Sequence, residues 1–421
     1  MLKHLTLSLA LFLFVALKTM AAQILIPMDE GQKNHLKAYG LAYWFLQQDL
    51  EVDWLLNYRG GSFSLKHLPN VENEMVVRGV SYMIVSDAQY SGILTQIGDP
   101  EVNMDVMKLE KAPKIAVYSP KLKQPWDDAV TLVLTYAEIP YDMVYDEEVL
   151  EEHLPKYDWL HLHHDDFTGQ YGKTSGRRRT SDWFLSQKQD SEALAQKHGY
   201  GKASQMKLGV AKKIKEFVAG GGFMFAMCSA TDTYDIALAA NGVDIVDAFY
   251  DGDGIDPQAQ KKLDFSQTFA FRNFLLALSP YDRGFSNIDN ARRDRNISEQ
   301  NDYFSLFTFS AKWDPIPTML TQNHEKTIKG FMGQTTAFRK ELIKPEVTIM
   351  GEFKTAGEVR YMNGVIGKGT WTFYGGHDPE DYIHMPGEDP TDLALHPNSP
   401  GYRLILNNIL FPAAKKKKQK T

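Results

Sequence analysis

A single thiol carries the clearest chemistry in this sequence. Cys228 is the only cysteine among 421 residues, and it follows the apolar run FMFAM at 223–227. The stretch SATDTYDIALAA at 229–240 has helical spacing, so the thiol stands between a predicted strand and a predicted helix. A helix N-terminus favours the thiolate, which is the nucleophilic form of cysteine. The pattern predicts a nucleophile on a sharp strand-to-helix turn, and a small buried core residue is the alternative.

A catalytic thiol requires a base, usually histidine, and a group that orients the base. His377 follows the apolar run TWTFY and two glycines, so it also stands just after a predicted strand. Asp378 and Glu380 come directly after it. We predict Cys228 as the nucleophile, His377 as the base and Asp378 or Glu380 as the orienting carboxylate. The sulfur and an imidazole nitrogen should then lie within about 4 Å of each other.

A polar run, HLHHDD at 161–166, ends another predicted strand. The carboxyl ends of parallel strands meet at one edge of a doubly wound sheet, so the last side chains of this run should border the thiol. The turn RGGS at 59–62 could bind an anion through its guanidinium group and glycine amides. The predicted substrate-binding residues are His164, Asp165, Asp166, Arg59 and Ser229.

The same polar run leaves a metal site open as an alternative. It matches the first part of the H-x-H-x-D-H pattern of metallo-hydrolases, but Asp166 stands where the last histidine would be. His161 and His163 share one face of the predicted strand, and with Asp165 they are weak candidate ligands for a metal-dependent hydrolase. Hydrogen-bonded packing is a third interpretation. The prediction therefore assigns no metal and no other cofactor.

The elements that must position these residues alternate along the chain. From 114 to 240, strand-like and helix-like segments follow each other with short connections. This order predicts an α/β fold with a doubly wound, mostly parallel sheet and helices on both faces. A strand, a helix and a strand at 23–58 predict a further parallel α/β unit at the N-terminus. Segments between 304 and 375 have β character.

The first 22 residues are typical of a secretory signal peptide. Lys3 and His4 precede an apolar run of about 13 residues, and small residues follow it, whereas a membrane span requires about 20 residues. We predict cleavage, no stable membrane insertion afterwards, and a periplasmic or secreted protein. The expected organisation is a signal peptide at 1–22, an N-terminal unit at 23–112, a larger domain at 113–412 with an insertion at about 243–330, and a basic tail at 413–421.

The composition constrains the partners. The net charge of −7 argues against binding of nucleic acid. The hydrophobic content of 43% is typical of a globular protein with a large core. We therefore expect a small-molecule substrate or ligand, and the oligomeric state is left open.

The order of motifs resembles that of the class I glutamine amidotransferase-like superfamily. The matching order is a helix, GGG, an apolar strand, Cys228 and a helix, followed by a later strand, GGH, an acidic loop and a terminal helix. The closing GGHDPED and YRLILNNILFPAA resemble the ThuA-like (trehalose-utilisation) branch, and the resemblance covers 113–412 apart from the insertion. It implies a flavodoxin-like sheet and a Cys-His hydrolase or transferase acting on an amide, carbonyl or sugar-derived small molecule. A non-catalytic ligand-binding protein is the alternative.

The whole chain also resembles a secreted bacterial family often labelled asparagine synthetase B. The matching segments are ILIPMDEGQKNHLKAYG and LLNYRGGSF, and an asparagine synthetase B-like activity is a further alternative. Asparagine synthetases carry cysteine after the initiator methionine and an SGGxDS-type loop, whereas this chain has Leu2 and no such string. Glutaminases carry glutamate two positions after the histidine, where this chain has Pro379. These departures predict neither glutaminase nor asparagine synthetase activity.

Overall fold

The structure is a computed structural model that describes residues 22–121, 127–174, 181–290, 295, 297–314 and 316–414. The predicted signal peptide, except its last residue, and the lysine-rich end of the predicted tail lie outside the described residues. The described chain has a mixed α/β fold with two sheets, in which parallel and antiparallel strand pairs both occur. Within these ranges, every helix is too short or too polar to cross a membrane.

The N-terminal unit contains a five-stranded sheet in the order β4-β1-β3-β2-β5. All its strand pairs are antiparallel, so the prediction of a parallel unit is wrong. The reason is the short RGGS turn: because β2 and β3 are joined by so few residues, the chain must return antiparallel. The elements are β1 (Ala22–Ile26), α1 (His35–Gln47), β2 (Val52–Leu56), β3 (Ser62–Lys66), α2 (Pro69–Val77), β4 (Met83–Ser86), α3 (Asp87–Gly98) and β5 (Asp105–Leu109).

The second sheet has ten strands and holds the predicted site. Five of them are parallel neighbours in the order β7-β6-β8-β9-β15, and β14, β13, β10 and β11 extend the sheet antiparallel from β15, while β12 pairs with β14. The segments with β character thus continue the same sheet. The strands are β6 (Ile115–Tyr118), β7 (Asp142–Val144), β8 (Trp159–Leu162), β9 (Phe223–Met227), β10 (Tyr303–Leu306), β11 (Thr327–Lys329), β12 (Phe338–Arg339), β13 (Thr348–Phe353), β14 (Glu358–Ile366) and β15 (Gly369–Tyr374).

Helices cover both faces of the second sheet. Side chains of β9 alternate between the two faces: Phe225 belongs to a core shared with the N-terminal sheet, and Met224 belongs to the opposite core. Helices α1, α4 and α11 pack into the shared core, and α7 and α8 pack into the opposite one. The helices of this part are α4 (Ala129–Tyr136), α5 (Asp146–Leu150), α6 (Asp182–Lys197), α7 (Ala203–Gly220), α8 (Ala230–Ala239), α9 (Ala248–Asp251), α10 (Ala259–Lys262) and α11 (Pro400–Leu410).

The strand register brings the ends of three strands to one edge. Leu162, the last residue of β8, pairs with Ala226, and Tyr374, the last residue of β15, pairs with Met227. The residues that follow these strands therefore emerge side by side at the carboxyl edge of the sheet, where doubly wound sheets place their ligands.

Candidate active site

Cys228 lies on a strained turn between β9 and α8. Its φ of 52° is in the left-handed region, which costs a residue other than glycine about 1–2 kcal/mol. The surrounding structure holds this conformation, because the Cys228 amide donates to the Gly376 carbonyl at 3.1 Å and the Gln334 amide donates to Sγ at 3.2 Å. The residue is only 1% exposed. Strain of this kind in a buried, polar setting is typical of a functional position.

The glycine pair before His377 permits a close approach of the chain. A Cβ at Gly375 would lie 2.4 Å from the Thr336 carbonyl oxygen, and a Cβ at Gly376 would lie 2.3 Å from the Phe331 ring. Gly376 also has a φ of 112°, which side chains rarely tolerate. Glycine is thus required at both positions for the 331–336 segment to pack against the end of β15 and fix the base.

His377 reaches the thiol. One ring nitrogen of His377, Cys228 Sγ and one nitrogen each of His163 and His164 all lie within 4.8 Å of one another. Burial alone would lower the pKa of His377, but hydrogen bonds to Asp127 and Cys228 raise that pKa to about 10. An imidazolium beside the sulfur is the arrangement that stabilises a thiolate.

The carboxylate at His377 is Asp127, which comes from the start of α4. His377 Nε2 lies 3.5 Å from Asp127 Oδ1, and His384 Nε2 lies 2.7 Å from the same oxygen. The second ring nitrogen of His384 lies 2.8 Å from Asp381 Oδ2. A row of alternating acidic and imidazole groups therefore runs from Asp381 through His384 and Asp127 to the base.

Asp378 and Glu380, the predicted orienting carboxylates, do not serve this role in the structure. Asp378 is fully buried and accepts hydrogen bonds from Thr391 Oγ1 at 2.8 Å and from the Glu380 amide at 2.9 Å. Glu380 lies 3.1 Å from His396 Nδ1. Because the chain turns away from the sheet after His377, its neighbours in sequence stabilise the following loop, and a carboxylate from another element faces the imidazole.

His161 of β8 and His163, which follows the end of that strand, share a second aspartate. Asp128 Oδ2 lies 3.0 Å from His161 Nε2 and 3.0 Å from His163 Nδ1. His161 Nδ1 lies 3.1 Å from the Phe225 carbonyl oxygen, so both nitrogens of this ring already face oxygens. Burial lowers the pKa of His163 to about 4 although Asp128 opposes the shift.

Asp165 points away from the histidines and joins a buried lysine network. Tyr145 Oη donates to Asp165 Oδ1 at 3.1 Å, and Lys207 Nζ lies 3.1 Å from Tyr145 Oη and 2.9 Å from Asp146 Oδ2. Burial raises the pKa of Asp165 to about 7, and Lys207 opposes this shift. His161 and His163 therefore lie together as expected for the weak metal set, but the carboxylate beside them is Asp128, whereas Asp165 lies 4.0 Å from Lys207 Nζ.

A small polar cavity lies close to the thiol, although neither Cys228 nor His377 is among its lining residues. Its volume is about 40 Å³, enough for one or two water molecules. Three buried polar atoms of its lining residues have no hydrogen-bond partner among the described residues: Asp166 Oδ2, Tyr171 Oη and Ser229 Oγ. The cavity is also lined by Gln334, whose amide reaches the sulfur. Four of the predicted substrate-binding residues line this cavity: His164, Asp165, Asp166 and Ser229.

Arg59, the fifth predicted substrate-binding residue, lies elsewhere. Its guanidinium group forms a two-point ion pair with Asp29, at 2.7 Å from Oδ2 and 3.2 Å from Oδ1. It does not line the cavity beside the thiol. The structure therefore does not bring it together with the other four, and in the N-terminal unit its charge is paired with a neighbouring carboxylate.

Sequence reasoning missed three residues of the site. Asp127 and Asp128 are adjacent in the segment WDDAVTL, where they were part of a predicted helix, and His384 lies in the loop after the base. Two carboxylates that precede a helix and follow β6 in the chain were a usable signal, because such a position lies at the carboxyl edge of the sheet.

The comparisons with known proteins give little. No family model matches the chain, and no curated protein matches it. Among solved structures, Cytoplasmic Protein STM3548 from Salmonella typhimurium is similar with a TM-score of 0.35 and 11% identity, over 72% of this chain and 100% of that chain. Cytoplasmic Protein STM1381 from Salmonella typhimurium LT2 has a TM-score of 0.34 and 12% identity over the same shares. Gan42B, a GH42 beta-galactosidase, has a TM-score of 0.27 and 13% identity, over 64% of this chain and 28% of that chain. Similarities this low carry no argument about function.

Proposed function

We propose that this protein is an extracytoplasmic thiol-dependent hydrolase or transferase of the class I amidotransferase-like superfamily, in its ThuA-like branch. Its substrate is a small molecule with an amide, carbonyl or sugar-derived group. The observation that carries the proposal is the pairing of Cys228, on a strained strand-to-helix turn, with His377 from the neighbouring parallel strand. The export signal predicted from the first 22 residues supplies the compartment.

The strand order supports a flavodoxin-like domain. Numbered along the chain, the five parallel strands β6, β7, β8, β9 and β15 have the spatial order 2-1-3-4-5, which is the flavodoxin-like order. In that topology ligands bind where the strand order reverses, between the first and third strands. Here that position lies between β6 and β8, and it is where Asp127, Asp128 and His163 lie.

Each residue has a defined role in the proposed reaction. The Cys228 thiolate attacks the carbonyl carbon, and its electron pair forms the carbon–sulfur bond while the carbonyl oxygen takes the negative charge. The Ser229 amide directly follows the nucleophile, the usual position of an oxyanion-hole donor. His377 gives its proton to the leaving group, and a thioester remains. His377 then takes a proton from water or from an acceptor hydroxyl, which attacks the thioester and releases the thiol.

Asp127 keeps His377 oriented and stabilises its charged form, because the carboxylate oxygen and Nε2 are 3.5 Å apart.

The cavity beside the thiol supports a polar substrate. Buried polar atoms without partners are costly, so Asp166 Oδ2 and Ser229 Oγ favour a ligand that can hydrogen-bond to them. A donor such as a hydroxyl or an amide N–H suits the carboxylate oxygen, and the hydroxyl of Ser229 can serve either as donor or as acceptor.

Thiol reactivity tests the proposal. The folded protein, in the presence of a chelator, should be alkylated by iodoacetamide at Cys228 near pH 6, where an ordinary thiol is almost fully protonated. An activated ester such as p-nitrophenyl acetate should give a burst of nitrophenol and an acetyl group on the Cys228 peptide. His377→Gln should lose both reactions.

A matched control is His153→Gln, because the His153 side chain is 37% exposed, lies 3.8 Å from Glu151 and precedes the amino end of β8, whereas the site lies at the carboxyl end. The His153→Gln variant should react with iodoacetamide and with the activated ester at the same rates as the unmodified protein. Alkylation that begins only above about pH 8, or only after unfolding, would contradict the enzyme proposal and favour a non-catalytic ligand-binding protein.

A further inference from the structure

We infer that the side chains of His163, His164, Cys228 and His377 form a binding site for a thiophilic divalent cation, for which Zn²⁺ is the natural probe. One donor atom from each residue lies within 4.8 Å of the other three. Thiolate sulfur and imidazole nitrogen are the donors that Zn²⁺ prefers, and four of them match its tetrahedral coordination. The inference goes beyond the proposed reaction, since it concerns what controls the thiol.

The separations are compatible with coordination. Bonds of about 2.1 Å to nitrogen and about 2.3 Å to sulfur place three nitrogens and one sulfur about 3.4–3.6 Å apart in a tetrahedron. The widest pair in the cluster, at no more than 4.8 Å, would need to contract by about 1.4 Å at most. Rotation of imidazole rings about their side-chain bonds can supply this movement without a change in the backbone.

The three imidazoles carry the outer contacts that metal-binding histidines usually have. His163 Nδ1 lies 3.0 Å from Asp128 Oδ2, and His377 Nε2 lies 3.5 Å from Asp127 Oδ1. His164 Nε2 lies 2.9 Å from the Asp127 carbonyl oxygen. Metal-ligating histidines commonly direct their second nitrogen to a carboxylate or a carbonyl in this way, which fixes the ring and strengthens the ligand. In His163, coordination through the unpartnered Nε2 would leave the contact of Nδ1 with Asp128 in place.

An unpartnered buried atom points independently to a ligand. His163 is 1% exposed, and its Nε2 has no hydrogen-bond partner within the part of the chain that the structure describes. A buried nitrogen left without a partner is costly. A cation in the cluster would accept the lone pair of His163 Nε2. It would also link the three imidazole rings, whose centroids are 3.8–4.9 Å apart.

Metal binding and nucleophilic attack exclude each other at this site. The cation replaces the proton that the thiolate–imidazolium pair holds on the His377 ring, and this proton is released to solvent; the thiolate electron pair then forms the metal–sulfur bond and the freed ring lone pair forms a metal–nitrogen bond. Four protein ligands leave no open position, which is typical of a closed site rather than of a catalytic metal. The bound ion would therefore hold the thiol in an unreactive, protected form, and its removal would return the thiolate.

Cobalt substitution tests the ligand set. The full chain, after treatment with a chelator, is titrated with Co²⁺ and then with Zn²⁺. We expect one Co²⁺ per chain, with the visible bands of tetrahedral cobalt and a near-ultraviolet thiolate-to-cobalt charge-transfer band, and displacement by Zn²⁺. Cys228→Ser should lose the charge-transfer band, and His153→Gln should bind like the unmodified protein. Zn²⁺ should also block alkylation by iodoacetamide.

A second variant separates ligand loss from misfolding. Asp128 Oδ1 accepts from the amides of Val130 and Thr131 and so caps α4, and asparagine caps helices equally well. Asp128→Asn should therefore fold but bind Co²⁺ about 10–100-fold more weakly, because an outer carboxylate is lost. An absent charge-transfer band in the folded protein, or unchanged Co²⁺ affinity in both Cys228→Ser and Asp128→Asn, would overturn the inference. Alkylation in chelator tests the proposed reaction separately, so either idea can fail alone.

Discussion

The charge of Asp127 should control the reactivity of the thiol, and Asp127→Asn tests this with little change in volume. At an effective dielectric constant of about 20, a unit charge 3.5 Å from His377 Nε2 contributes about 5 kcal/mol to the imidazolium. If only a third of this energy reaches the imidazolium–thiolate pair, alkylation at pH 6 should slow by about tenfold, because 1.36 kcal/mol corresponds to a factor of ten. The loss should be larger if more of the energy is transmitted.

The assay is the second-order rate of alkylation by iodoacetamide, followed by intact mass with a chelator present. At pH values above about 9, where ordinary thiols ionise, the variant should approach the rate of the unmodified protein, which separates loss of charge from loss of fold. Asp378→Asn is the matched control, since that carboxylate bonds to Thr391 and not to the imidazole. A rate for Asp127→Asn at pH 6 that equals the unmodified rate, or an equal slowing in Asp378→Asn, would refute the reasoning.

Three further predictions concern stability, measured by urea unfolding. Gly376→Ala should lower the free energy of unfolding by about 1–3 kcal/mol more than Gly387→Ala does. Both positions have a left-handed φ, but only Gly376 has no room for a Cβ. Equal losses in the two variants would contradict the steric overlap at Gly376. Burial lowers the pKa of His35 to about 4, so the folded state binds fewer protons than the unfolded state between that value and 6.5. The free energy of unfolding should therefore fall by about 2.5 kcal/mol from pH 7 to pH 4.5 through this group. The fall should be smaller in His35→Gln, and the same pH profile in the variant as in the unmodified protein would argue against a buried neutral imidazole. Lys207→Met should lower the free energy of unfolding by about 3–5 kcal/mol, because it leaves Asp146 buried and unpaired. Adding Asp146→Asn should recover much of this stability. If the double variant recovers none of it, the lysine acts by packing alone.

Residues that directly follow strands were predictable from the sequence. FMFAM and TWTFY are buried runs of the right length for strands, and parallel strands end at one edge, so the approach of Cys228 and His377 followed from local patterns. The same reasoning placed His164 beside the cavity. These positions depend only on where each strand ends.

The remaining parts depend on contacts that no local pattern encodes. Asp378 is adjacent to the base in sequence, but the direction of the loop after β15 decides which carboxylate faces the ring, and Asp127, two residues before α4, occupies that position. The N-terminal sheet was expected to be parallel because a strand, a helix and a strand follow each other. Strand β3 lies between β1 and β2 and pairs antiparallel with both, so the two strands predicted to be parallel neighbours do not pair with each other.

The aspartate pair at the start of α4 makes the two halves of the molecule mechanically dependent on each other. Asp127 contacts the base, and Asp128 contacts His161 and His163 while it caps α4, so the position of this helix sets both. The same helix packs against α1 of the N-terminal unit. The larger domain therefore cannot be separated from the N-terminal unit at residue 113. A truncation there would expose α4 to solvent and loosen the positions of the side chains at the reactive centre. The N-terminal unit thus stabilises the reactive centre without contacting the reacting groups.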